Sequence, residues 1–283
     1  MRKKFSQNII ILLIILGAIG ATLGISTLRD NLVEKDKRYN DQAVFISNSD
    51  ILKGNTIDYM EASNVKIPII TYSFVSYNDE SFTLTADDFK AQMKWLYDNG
   101  VTFVTMKELY EMITTGNNIP KRPVAICFEE GYDDVYKNAY PILKQYGVKA
   151  TVFLSSQYIN KPSYLTEGMI KDMALKGINF QSHSKNNTKL TLLTYEEQLD
   201  YLKSSQERIQ AITNTQVEFL MYPEGSHDGD TTKAMSSLGY KLGISNRFGY
   251  AEEGNGLYNL RKIKINYNNK DLKNFKDIFV PLW

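Results

Sequence analysis

The chain has 283 residues, 43% hydrophobic and 23% charged, enough for one large domain with a substantial core. Its formal net charge of +1 gives no electrostatic case for nucleic-acid binding. One cysteine, Cys127, excludes any internal disulfide and leaves the redox compartment open; inside an apolar predicted strand it is expected to be an inert core thiol.

Arg2, Lys3 and Lys4 precede residues 9–26, eighteen residues without a charge. As a helix that run is about 27 Å long, enough to cross a bilayer core. The expected layout is a cytoplasmic basic segment (1–8), one transmembrane signal-anchor (9–26), an extracytoplasmic stalk (27–66) and a domain (67–283) held outside, because the positive flank stays inside. A cleaved signal peptide ending near Ala18 and Gly20 is the rival reading. The run's continuation through Ile25, with no lipid-accepting cysteine after it, favours the uncleaved anchor. Residues 27–66 mix charges such as Arg29, Asp30 and Glu34 with short apolar pieces and have no sustained period.

Residues 67–72 are the first predicted strand of the domain. Thr85 with Asp88 has the spacing of a capping box for a helix through Tyr97, stopped by Gly100. A strand at 102–104 follows, then a helix capped by Thr105 and Glu108 and ending near Gly116. Residues 123–154 read strand, acidic turn, helix, strand: the apolar run 124–128 ends at Glu129, Glu130 and Gly131. Val135, Ala139, Ile142 and Leu143 then recur at helical spacing, Gly147 stops the helix, and 149–154 is apolar again. That is a β-α-β crossover with paired acids at the carboxyl end of its first strand. Beyond it the pattern predicts a helix at 167–175, a strand at 178–181, a long helix capped by Thr194 and Glu197, and a strand at 217–222. A helix at 232–238, strands at 241–244 and 261–265, and a helix at 271–279 complete the chain. Strands alternating with amphipathic helices imply an α/β fold with a parallel sheet, and about seven repeats are enough to close it into a barrel.

Ser73, Glu129, Glu130, His183 and residues 222–227 stand just past strand ends, positions that converge on one rim of a closed barrel. Taken singly, most of them read as solvated loop residues. Glu129 and Glu130 differ, because adjacent acids repel each other unless a cation or a proton sits between them.

The 123–154 stretch, with its sequence FEEGYDD, its NAYPILKQYG helix and its KATVFL strand, resembles the polysaccharide deacetylases, closest in layout to the exopolysaccharide and poly-N-acetylglucosamine deacetylases. The resemblance runs from about Lys66 onward and implies a distorted (β/α)7 barrel of the NodB-homology type. It also implies hydrolysis of an acetamido group by water activated on a divalent metal such as zinc. Carried over, Glu129 is the base and Glu130 a metal ligand together with His183. Tyr222 and Pro223 match the turn that shapes the substrate groove, and the implied partner is an N-acetylglucosamine-containing polysaccharide.

The sequence departs from the family at several of these places. Glu-Glu replaces Asp-Asp, lengthening each carboxylate by about 1.5 Å, and displacement on that scale is worth about 10²-fold in rate. Asn187 or Thr188 stands where the second metal histidine belongs, and Ser73 replaces the histidine that the family uses as acid. Glu224 replaces an aromatic. The chain has only two histidines, so His227 is the one imidazole left to replace a missing ligand or acid; Asn187 offers an amide oxygen, a weak ligand for zinc. Three readings follow: a membrane-anchored deacetylase of an amino-sugar polymer with weakened metal-dependent activity, a catalytically inactive glycan- or partner-binding relative, and a membrane-tethered structural protein.

Overall fold

Ten strands and seven α-helices are found among the residues that the computed structural model describes: 59–60, 65–76, 84–266, 268 and 270–282. The expected basic segment and anchor, and nearly all of the stalk, lie outside these residues. Among the described residues no helix is long and apolar enough to cross a membrane. The unit Asp58–Trp283 holds all of the architecture below.

The strands are β1 (Tyr59–Met60), β2 (Ile69–Tyr72), β3 (Thr102–Phe103), β4 (Ile119–Pro120), β5 (Pro123–Phe128), β6 (Ala150–Leu154), β7 (Asn179–Ser182), β8 (Phe219–Met221), β9 (Leu242–Phe248) and β10 (Leu260–Lys264). Seven of them, β2, β5, β6, β7, β8, β9 and β10, pair in parallel around a ring that closes because β2 bonds to both β5 and β10. The expected parallel (β/α)7 barrel is therefore present. β3 is short and runs beside the start of β5, while β1 and β4 form a separate antiparallel pair.

Strand alternation divides the core in two. Ile69, Ala125, Cys127, Phe153, Met221 and Ile244 face the lumen and belong to one buried cluster; Ile70, Ile126, Phe128, Val152, Leu154 and Ile263 face the helices and belong to another. Cys127 is free and fully buried, as expected of a core thiol. The helices are α1 (Ala86–Asp98), α2 (Met106–Thr115), α3 (Tyr140–Tyr146), α4 (Glu167–Leu175), α5 (Tyr195–Thr213), α6 (Gly229–Ser237) and α7 (Leu272–Asp277). The three capping boxes expected at Thr85, Thr105 and Thr194 all form, and Gly116 and Gly147 end α2 and α3 in the left-handed conformation.

Three local features differ from the sequence reading. The helix after the acidic turn opens with a π-helical turn, Val135–Ala139, in which the Tyr140 N–H reaches back to the Val135 carbonyl. Pro141 explains it: without an N–H it cannot continue the α-helical ladder there. α6 begins at Gly229, three residues before the expected start, because Asp228 and Thr231 form a capping box. β9 runs on to Phe248, and its pairing with β10 slips register between Leu260 and Lys262.

Gly243 in β9 lies against the ring of Tyr222, whose hydroxyl donates to the Tyr258 carbonyl at 2.9 Å. A Cβ at Gly243 would stand 2.0 Å from that hydroxyl oxygen. Gly243→Ala is therefore expected to lower stability by about 2–3 kcal/mol, measured by urea unfolding, through overpacking.

Candidate functional site

The carboxyl ends of the barrel strands carry backbone strain. Glu130 after β5, Ser184 after β7 and Glu224 after β8 have φ of 67°, 68° and 51°, the left-handed region that non-glycine residues rarely enter. Strain of this kind persists only where surrounding contacts fix it, and it clusters at functional sites. Here the Gly131 N–H closes the acidic turn onto the Glu129 carbonyl at 2.8 Å.

Glu129 is buried, and both of its oxygens are taken. Oε1 accepts from the Lys262 ammonium at 2.7 Å; Oε2 accepts from Lys264 at 2.8 Å and from the Ser73 hydroxyl at 3.2 Å. Lys262 is itself only 3% exposed, whereas Lys264 is 48% exposed. Burial alone would raise the Glu129 carboxyl, but Lys262, Lys264 and His183 outweigh it and hold the group well below the usual carboxylate range. Burial pushes Lys262 down, and Glu129 pulls it back up.

His183 is also buried, and its Nδ1 has no hydrogen-bond partner among the described residues. Burial lowers its pKa to about 4 against the pull of Glu129, so the ring is neutral at neutral pH. Glu130 turns its Oε2 toward the Tyr132 hydroxyl at 2.6 Å and the Asn187 amide nitrogen at 2.5 Å. The Asn187 amide oxygen accepts from the Ser155 hydroxyl at 2.9 Å. Asn187 thus meets Glu130 as a hydrogen-bond donor, with its oxygen directed elsewhere.

His227 lies flat on Tyr222, ring centroids 4.4 Å apart and planes 6° apart, with Nδ1 3.0 Å from the Gly225 carbonyl. It packs within its own loop. Tyr222 and Pro223, expected in the turn that shapes the groove, are both buried beneath that turn. The Glu224 carboxylate pairs with Lys189 at 3.0 Å on the exposed rim.

A divalent metal is a poor fit to this arrangement. Among the described residues no three His, Cys, Asp or Glu side chains gather closely enough to hold one. Glu130 and His183 supply two ligand groups where a zinc site takes three or four. Asn187 turns an N–H to the carboxylate, and two ammonium groups already neutralise Glu129. Against this, the unpartnered Nδ1 of His183 has the character of a waiting ligand atom.

Lys262 and Lys264 were not foreseen from the sequence. Their signal is the alternation Leu260-Lys262-Lys264 against Ile263-Ile265, which in an open sheet reads as polar out and apolar in. In a closed barrel the apolar set faces the helices, and the lysines enter the lumen.

Residues 116–243 match the polysaccharide deacetylase family. YxkH of Bacillus subtilis, assigned to the polysaccharide deacetylases, is 34% identical over 200 residues, 71% of this chain and 71% of that protein. A poly-β-1,6-N-acetyl-D-glucosamine N-deacetylase of Staphylococcus aureus is 28% identical over 189 residues, covering 62% of this chain and 65% of that one. Among solved structures, the Streptococcus pyogenes deacetylase PplD in complex with acetate superposes with a TM-score of 0.72 at 28% identity, over 76% of this chain and 99% of that one.

Removing Glu129 leaves buried Lys262 without its counter-ion, whereas removing Lys262 leaves Glu129 paired with Lys264. Glu129→Gln is expected to cost about 3 kcal/mol at pH 7 and Lys262→Met less than that, and adding Lys262→Met to Glu129→Gln is expected to recover most of the loss, in urea unfolding. Because the folded-state carboxyl lies below its unfolded value, Glu129 contributes stability that is complete above that unfolded value, near 4.5, and is lost as pH falls through the folded one. The stability gap between parent and Glu129→Gln should therefore be flat from pH 6 to 8 and narrow steadily below about pH 4.5.

Proposed function

This chain belongs to the polysaccharide deacetylase family, and we propose that it binds an N-acetylated amino-sugar polymer outside the cytoplasm without the efficient N-deacetylation of a metal-loaded relative. The clamp of Lys262 and Lys264 on Glu129 carries this reading. The residue in the base position has both oxygens bonded to cations and its carboxyl held far below the range of a working base, since proton transfer at neutral pH is best served by a group titrating nearby. The acid position is Ser73, whose hydroxyl donates to the same carboxylate and is no proton source near neutral pH.

The strained mouth supports binding over a purely structural role, because a barrel kept only as scaffold has no need of left-handed Glu130, Ser184 and Glu224 around one opening. The choice of polymer follows the name of the Staphylococcus aureus relative, which acts on poly-β-1,6-N-acetyl-D-glucosamine. The extracytoplasmic, membrane-anchored placement follows the basic flank and uncharged run of residues 9–26. Slow residual deacetylation is the second reading, and the unpartnered Nδ1 of His183 is the observation in its favour.

Calorimetry with β-1,6- and β-1,4-linked N-acetylglucosamine oligomers, run beside an acetate-release assay and zinc analysis after dialysis against a mild chelator, tests both. Saturable binding is expected, with acetate release slower than that of the Staphylococcus aureus enzyme by about 10²-fold or more. Stoichiometric zinc retained through dialysis, or acetate release at the relative's rate, overturns the binding reading.

A further inference from the structure

Phe74, just past the end of β2, is 47% exposed, yet its backbone is fixed from inside. The next residue, Val75, is fully buried; its N–H donates to the Asp134 carboxylate and its carbonyl accepts from the Asn138 amide at 2.5 Å. Both partners belong to the π-turn region that follows the acidic turn. A singly exposed phenylalanine needs no explanation. One whose neighbour is nailed to the barrel by two side chains is held in a chosen place.

The ring is also backed. Phe74 stacks on Tyr132 with centroids 4.0 Å apart, Tyr132 on Tyr164 at 4.7 Å, and Tyr164 on Tyr158 at 4.8 Å, with successive planes 26°, 28° and 30° apart. The row joins the loops after β2, β5 and β6, so three rim segments share it. Its inner members are half-buried; Phe74 stands at the end, stacked on Tyr132 and 47% exposed. Tyr132 carries the row to the site, since its hydroxyl donates to Glu130 at 2.6 Å.

We propose that Phe74 is the platform for one pyranose ring of the N-acetylated amino-sugar chain, with Tyr132, Tyr164 and Tyr158 holding it rigid beside the barrel mouth. The inference rests on the glycan-binding reading above and names the subsite. A β-linked amino sugar keeps its substituents equatorial, which leaves an apolar C–H face of about the size of an aromatic ring, while its hydroxyl and acetamido edges bond to polar groups around it. A fixed, half-exposed aromatic meets the first need at low entropic cost, and the tyrosine hydroxyl and Glu130 beside it meet the second. The ligand class is uncharged, in keeping with a mouth whose lysines are already committed to Glu129.

Calorimetric titration of the full chain with a β-1,6-linked N-acetylglucosamine oligomer provides the test. Phe74→Ala should bind about tenfold more weakly, as expected on losing an aromatic anchor, and Phe74→Trp should return to within about twofold of the parent. Phe74→Leu keeps the apolar bulk but not the flat face and should stay weak; it serves as the second variant if Phe74→Ala fails to fold. Binding by the parent with unchanged affinity in Phe74→Ala or Phe74→Leu overturns the platform alone. No binding by the parent overturns the glycan-binding reading and the platform with it.

Discussion

A charge inside a closed barrel must find its opposite, and the pairing of Glu129 with Lys262 is the constraint around which the mouth is arranged. The lumen below it is apolar, filled by Ile69, Phe153, Met221 and Ile244, so neither ion has solvent to fall back on. The two residues lie 133 positions apart and meet because β2 closes the ring between β5 and β10. Ring closure and charge pairing thus depend on each other: β10, held to β5 through β2, delivers the ammonium groups that make the acid tolerable in the barrel.

That pairing alters what the acidic turn can do. Adjacent carboxylates at a strand end call for a cation, and the chain supplies its own. Glu129 takes two ammonium groups, while Glu130, swung out by its left-handed backbone, takes neutral donors from Tyr132 and Asn187. The two acids separate into one ionic and one hydrogen-bonded environment. Each is satisfied without a third party. A neutral, buried His183 that feels both acids completes the site.

Much of the fold was legible because its signals are local. Capping boxes at Thr85, Thr105 and Thr194 and the stops at Gly116 and Gly147 depend on residues within one turn, and strand runs such as 124–128 announce themselves by composition. The acidic turn and His183 were legible as a candidate site through their motif. The lysines were not, since alternation shows that Lys262 and Lys264 share a face but not which face is inside; only closure decides that. The burial of Tyr222 was not legible for a related reason. Its motif marks a turn at the groove, but the ring goes under the turn to Gly243 and Tyr258. The π-turn was legible in principle from Pro141, and the aromatic row from Phe74 to Tyr158 was not, because it is assembled from three separate loops.

The register slip between β9 and β10 has an evolutionary reading. It falls between Leu260 and Lys262, immediately before the two lysines, and so sets the height at which they enter the lumen. Strand frame has a period of two; a single-residue insertion or deletion after the slip would turn both lysines toward the helix layer and bring Ile263 and Ile265 against Glu129. The length of β10 therefore cannot drift. Lys264, half-exposed, is the freer of the two to change, whereas Lys262 can be traded only together with its buried partner Glu129.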